Sequence, residues 1–150
     1  MKKLCGIYLA IILAGACTPK LRSYSPQVSS SPGTEPNTLF IQASGLGTDE
    51  RRSYEHAIHE ALSTLLFQGI PGSVQPKPII PPDDASRMRP KVESCLSDNN
   101  CYRNFILQIN QVGSYVQVKG GYSATVNCKV NLAALQNWLE QNNIIRKFGL

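Results

Sequence analysis

The spacing of apolar residues changes several times along this chain, and each change marks a new element. Leu4 to Leu13 is an apolar run of about ten residues. Residues 18–37 have no hydrophobic period: Pro19, Pro26, Pro32 and Pro36 stand among serines, a composition that stays semi-extended. From Thr38 the period is two. Leu39, Ile41 and Ala43 alternate with Phe40, Gln42 and Ser44, which predicts a short strand ending in the turn Gly45-Leu46-Gly47, where positive φ suits glycine. The period then lengthens. Tyr54, Ala57, Ile58, Ala61, Leu62 and Leu65 keep i, i+3, i+4 spacing, predicting an amphipathic helix to about Phe67. Thr48 is its expected cap, Asp49 and Glu50 suit its first turn, and Gly69 and Pro71 stop it.

Six prolines punctuate residues 68–90, which read as a long loop. Long loops of this kind serve as binding elements or stay mobile, and Pro78, Ile79 and Ile80 are its candidate partner contacts. A helical stretch from Lys91 to Ile109 follows, interrupted by the turn-rich Leu96-Ser97-Asp98-Asn99-Asn100, with Tyr102, Phe105, Ile106 and Ile109 facing the core. Alternation returns at Val112, Ser114, Val116 and Val118, and Gly120-Gly121 suits a tight hairpin. The return strand places Tyr122, Ala124, Val126, Cys128 and Val130 on one face and Ser123, Thr125, Asn127 and Lys129 on the other, one face buried and one wet. Asn131 then caps a last helix with Leu132, Leu135, Trp138 and Leu139 inward. The tail Ile144 to Leu150 docks as a final core segment or, undocked, offers Phe148 and Leu150 as partner anchors.

Together these elements predict one α+β domain over residues 38–150, with about three strands in a layer and helices on one face. The expected order is β-α-(loop-α)-β-β-α.

Charge and chemistry narrow the function classes. The formal net charge of +5 is modest and scattered, with no basic stripe interleaved with aromatics, so nucleic acid is not an expected partner. Gly45-Leu46-Gly47 lacks the third glycine of a dinucleotide fingerprint, and Asp49 and Glu50 would repel an anion there. His56 and His59 are spaced i, i+3 with Glu60 after the second, which fails the H-E-x-x-H zinc motif and reads as a polar helix face. There is no G-x-S-x-G and no recognisable Cys–His–acid pattern. No catalytic residue, metal site, cofactor or small-molecule substrate is expected, and the chain reads as a non-enzyme.

Lys2 and Lys3, the apolar run and the small residues Ala14-Gly15-Ala16 before Cys17 form the three parts of an export signal. This stretch resembles the lipobox of bacterial lipoprotein precursors, although that pattern prefers Leu where Ala14 stands. The resemblance implies diacylglycerol on the Cys17 sulfur, cleavage before Cys17 and N-acylation. It divides the chain into a signal peptide (1–16), a lipid-anchored tether (17–37) and the domain (38–150). Thr18 after the cysteine implies an outer-membrane address, and no acidic run follows it, which points to the periplasmic side. Two or three acyl chains hold stably where one binds reversibly.

In that oxidising compartment, Cys95 and Cys101 are the natural disulfide pair. On a continuous helix their Cα atoms would stand ~9 Å apart, so the bond requires a break in the helix. Cys128, on the apolar side of its strand, reads as a buried thiol. The strand, helix and hairpin-helix pattern over residues 38–150 is similar to small envelope lipoprotein domains: flagellar-assembly, penicillin-binding-protein-activator and curli-channel-like proteins, and lipoproteins of Bacteroidota. That likeness implies a scaffold or accessory role with a protein partner in the envelope. An inhibitor or immunity-type lipoprotein that blocks a soluble enzyme or toxin is the alternative.

Overall fold

The computed structural model describes residues 28–32, 36–97 and 101–146. In chain order the elements are β1 (Ser29–Pro32), β2 (Thr38–Gly47), α1 (Glu50–Phe67), α2 (Pro82–Leu96), a 3₁₀ turn (Tyr102–Asn104), β3 (Ile106–Gln111), β4 (Val116–Val118), β5 (Gly121–Asn131) and α3 (Leu132–Gln141). The fold is α+β, as the hydrophobic pattern predicts. Its antiparallel sheet runs β1-β2-β5-β3, and β4 pairs β5 on the same edge as β3.

The strand β5 organises the sheet. Its alternation puts Ala124, Val126, Cys128 and Val130 into the core, opposite Leu39, Ile41 and Ala43 of β2. The amphipathic stripe of α1 (Ala57, Ile58, Ala61, Leu62, Leu65) covers that face. The other face is polar: Gln42 pairs in register with Asn127, Ser44 Oγ lies 2.8 Å from Thr125 Oγ1, and Lys129 Nζ stands 5.7 Å over the Phe40 ring. Hydrophilic residues on one side of each strand keep that face in water without cost, so a single helical layer suffices.

Several local expectations are corrected. The sheet has five strands, not three: β3 is one addition, and the other is Ser29–Pro32, expected within the tether, which pairs with β2 from Ser29↔Gln42 to Pro32↔Leu39. The second half of the proline-rich stretch is helix: Pro82 opens α2 at a position that needs no N–H, and Pro90 is carried inside it. Burial of Val92, Cys95 and Leu96 offsets the lost hydrogen bond. Residues 106–109, expected as the end of a helix, belong to β3. The reason is a bulge between Ile106 and Gln108, which makes Leu107 an extra residue. Ile106 and Ile109 both face inward, and the insertion turns a strand's i, i+2 repeat into the i, i+3 repeat of a helix. The expected strand from Val112 shrinks to β4, since Gly113 at φ +71° breaks the run and its C=O accepts from Gln111 Nε2 at 3.1 Å.

Gly45 and Gly47 lie within β2 rather than in a turn, and neither needs positive φ. A Cβ on Gly45 would come 2.2 Å from Ala57 N, and one on Gly47 would come 2.2 Å from Ser53 N. Both glycines therefore let α1 lie directly on the strand. The helix cap is Asp49, not Thr48: the Asp49 carboxylate accepts from Arg52 N–H at 2.8 Å. That backbone donor lowers the Asp49 pKa; desolvation opposes it, and Thr48 and the two arginines add weaker lowering effects. The hairpin turns at Lys119-Gly120, one residue earlier than Gly120-Gly121, with Gly120 at φ +97°. Asn131 caps α3 as expected, accepting from Ala134 N–H at 3.0 Å.

Candidate functional site

The first turns of α1 and the end of α2 enclose a cleft of about 350 Å³. Arg51, Arg52, Glu55, His56 and His59 line it from α1, and Leu96, Ser97 and Tyr102 from the chain around the disulfide. Helical spacing explains the first group, because residues three and four apart share a face.

Most of its charges are paired. Arg51 Nε donates to Glu55 Oε1 at 2.8 Å, and this hydrogen bond raises the Arg51 pKa above its ordinary value. Arg52 reaches back to Thr48 Oγ1 at 3.2 Å and to Asp49 at 3.5 Å. His56 Nε2 lies 3.5 Å from Glu60 Oε1. His59 Nε2 bonds to Glu93 Oε2, joining α1 to α2 across 34 residues of sequence. Glu93 also accepts from Arg89 Nη1 at 3.4 Å, and the Arg89 guanidinium covers the Phe67 ring at 4.1 Å. The opposite nitrogen of His59, Nδ1, is buried and has no hydrogen-bond partner among the described residues. Burial, ahead of weaker charge effects, raises the pKa of Tyr102, which keeps its phenol neutral.

Cys95 and Cys101 form a disulfide with Cα atoms 5.3 Å apart. The helix ends at Leu96, and that break lets the two residues approach. Cys128 is a free, buried thiol pushed up to about 12 by desolvation. Neutral thiols are poor nucleophiles, so the chemistry of Cys128 is packing. Among the described residues no group of three or more His, Cys, Asp or Glu is placed to hold a metal ion.

The partner-contact reading of the proline-rich loop is corrected at Ile80 alone. Ile80 is fully buried and its N–H bonds to Leu66 C=O at 2.9 Å. Ile79 packs partly against the core and Pro78 is half-buried. Through Ile80 this loop holds the end of α1 down. The tail behaves similarly as far as Arg146: Ile144 is buried and its N–H bonds to Leu139 C=O at 2.8 Å. Cys17, the signal stretch, Phe148 and Leu150 lie outside the described residues. No described helix is long and apolar enough to cross a membrane.

Sequence reading did not find the cleft. Its two walls come from segments separated by the proline-rich stretch, and no local motif links His59 to Glu93. The weak signal was Arg89 and Glu93 at i, i+4, a helical pair inside a segment read as loop and helix start. Compared with known proteins, the chain matches no family model, no curated protein and no solved structure.

Proposed function

We propose that this chain is a lipid-anchored protein of the bacterial envelope, held through Cys17 on the periplasmic side of the outer membrane. Its α+β domain acts as a non-enzymatic accessory or scaffold subunit of a secretion or wall-synthesis assembly. The tether gives the domain reach, and its surface supplies the contact with a protein partner.

The observation that carries this reading is the Cys95–Cys101 disulfide. Structural disulfides persist in oxidising compartments, and this one accompanies the Lys2-Lys3, apolar run and Ala-Gly-Ala-Cys pattern of an exported, acylated precursor. The paired charges of the α1–α2 cleft suit a polar contact with a protein more than a reaction. Burial of Ile80 withdraws one apolar contact that the proline-rich segment would offer to an inhibitor's target, which supports the scaffold reading.

The test compares wild type with Cys17→Ser in intact cells by palmitate labelling and by crosslinking with mass spectrometry. The proposal expects label on the wild type alone and one dominant membrane or wall-synthesis partner that is lost with the anchor. Unchanged labelling of the variant, or a soluble partner captured equally by both forms, overturns it.

A further inference from the structure

The two edges of the sheet are unlike. The edge strand β1 is four residues long and ends in Pro32, which has no N–H to offer a further strand. The opposite edge, made of β3 and β4, has neither proline nor charge to guard it. From Asn104 to Val118 the sequence contains no Asp, Glu, Lys, Arg or Pro; Arg103 and Lys119 stand just outside. Leu107 (54% exposed), Val112 (38%) and Val116 (59%) all lie along this edge. Single exposed apolar residues need no explanation. Three on an uncharged open edge are what proteins ordinarily break up with lysine or proline.

The backbone narrows the usable run. The bulge at Leu107 and the kink at Gly113 interrupt the edge, leaving residues 108–112 in unbroken register. Gln108 pairs with Lys129 and Asn110 with Asn127, and Val112 N–H bonds to Thr125 C=O at 2.8 Å. Antiparallel alternation then turns the N–H and C=O of Gln108, Asn110 and Val112 toward β5, and those of Ile109 and Gln111 outward. Asn110, exposed, is the midpoint of this run.

We propose that this edge pairs antiparallel with the same edge of a second copy of the chain, about a two-fold axis through Asn110, joining two sheets into one. Ile109 would exchange backbone hydrogen bonds with Gln111 of the second copy. In a two-fold pair every charge near the axis confronts itself, so a neutral edge is the kind that pairs with itself without repulsion. The run is too short to reach the roughly 1,000 Å² expected of a stable interface. Pairing is therefore weak in free solution and favoured where copies are concentrated on one membrane, a part of the argument that rests on the Cys17 anchor.

The test uses the full chain in the cells that produce it. Asn110→Cys places two thiols across the axis, and Gln136→Cys, at an exposed position on α3, reports random collision. Non-reducing gels are expected to show a disulfide-linked dimer of Asn110→Cys in several-fold excess over Gln136→Cys. In a second measurement, wild type gives a formaldehyde-linked dimer and Asn110→Lys lowers it about fivefold, although that substitution adds a reactive amine. Dimer no greater than the collision control, an undiminished dimer in Asn110→Lys, or a linked product whose mass is that of a different protein overturns the proposal. Palmitate labelling of the same cells reports the anchor separately: label without dimer defeats the pairing, and dimer without label defeats the anchor.

Discussion

Replacing Gly45 by alanine tests how α1 is fitted to the sheet. The new Cβ would stand 2.2 Å from Ala57 N, 2.6 Å from Ser53 O and 2.7 Å from Ala57 Cα. All three atoms are helix backbone, so no rotamer change relieves the clash. Ordinary contact begins near ~3.5 Å, so α1 must withdraw by about 1 Å along the row that packs Ala57 and Ala61. Overpacking of this kind costs about 1–3 kcal/mol, and the rigidity of a helix backbone puts the cost at the upper end. Alanine recovers roughly 0.5–1 kcal/mol of the backbone entropy that glycine loses in a strand. The net expected loss is about 2 kcal/mol, or a fall in Tm of roughly 8–12 °C for a domain of this size. The single tryptophan, Trp138, packs 5.7 Å from Phe105 and reports urea unfolding by fluorescence. The midpoint should drop with an unchanged slope. Gly72→Ala is the control, because Gly72 has φ +78° and open space around it, so only backbone strain of ~1 kcal/mol is expected. A Gly45→Ala protein as stable as wild type, or no worse than Gly72→Ala, would refute the close approach.

Other expectations follow from the same structure. Cys95→Ser with Cys101→Ser should lower stability by about 2 kcal/mol in urea titrations, the loop-closure value for so short a loop, and reductant should do the same to wild type. Cys128 should resist iodoacetamide at pH 8 until urea exposes it. Its folded pKa, about 12, lies above the ordinary 9.0, so its contribution to stability is full below pH 9 and is lost as pH rises toward 12. Unfolding midpoints of Cys128→Ala should therefore fall less steeply than those of wild type over that range. Ile80→Ala should cost about 2–4 kcal/mol in the same urea assay while Pro78→Ala stays near wild type, and equal effects would contradict the burial of Ile80.

Residues whose patterns are strictly local were legible in the sequence. The alternation of Ala124, Val126, Cys128 and Val130 identified β5, the i, i+3, i+4 stripe identified α1, and Asn131 marked the start of α3. The misreadings have physical causes of their own. The bulge at Leu107 gave a strand the spacing of a helix, and Pro90 gave a helix the composition of a loop. Gly45 and Gly47 looked like turn residues because a contact with α1, twelve residues on at Ala57, leaves no trace in the local pattern. The α1–α2 cleft was illegible for the same reason: His59 and Glu93 meet only once both helices have packed.

The central place of β5 also sets the order of events in folding. Ser44 and Thr125, neighbours across the middle of the sheet, are 81 residues apart in sequence. Closing so long a loop costs conformational entropy before any ladder bond repays it, and chains dominated by such pairings fold in milliseconds to seconds. The strands β2, β3 and β4 all pair with β5, so the sheet is complete only once that strand is in place. Until then the apolar stripe of α1 has β2 to cover but not β5, and part of its packing surface is missing. Without residues 121–131 only the β1–β2 pair would remain of the sheet, and β3 and β4 would have no strand to pair with.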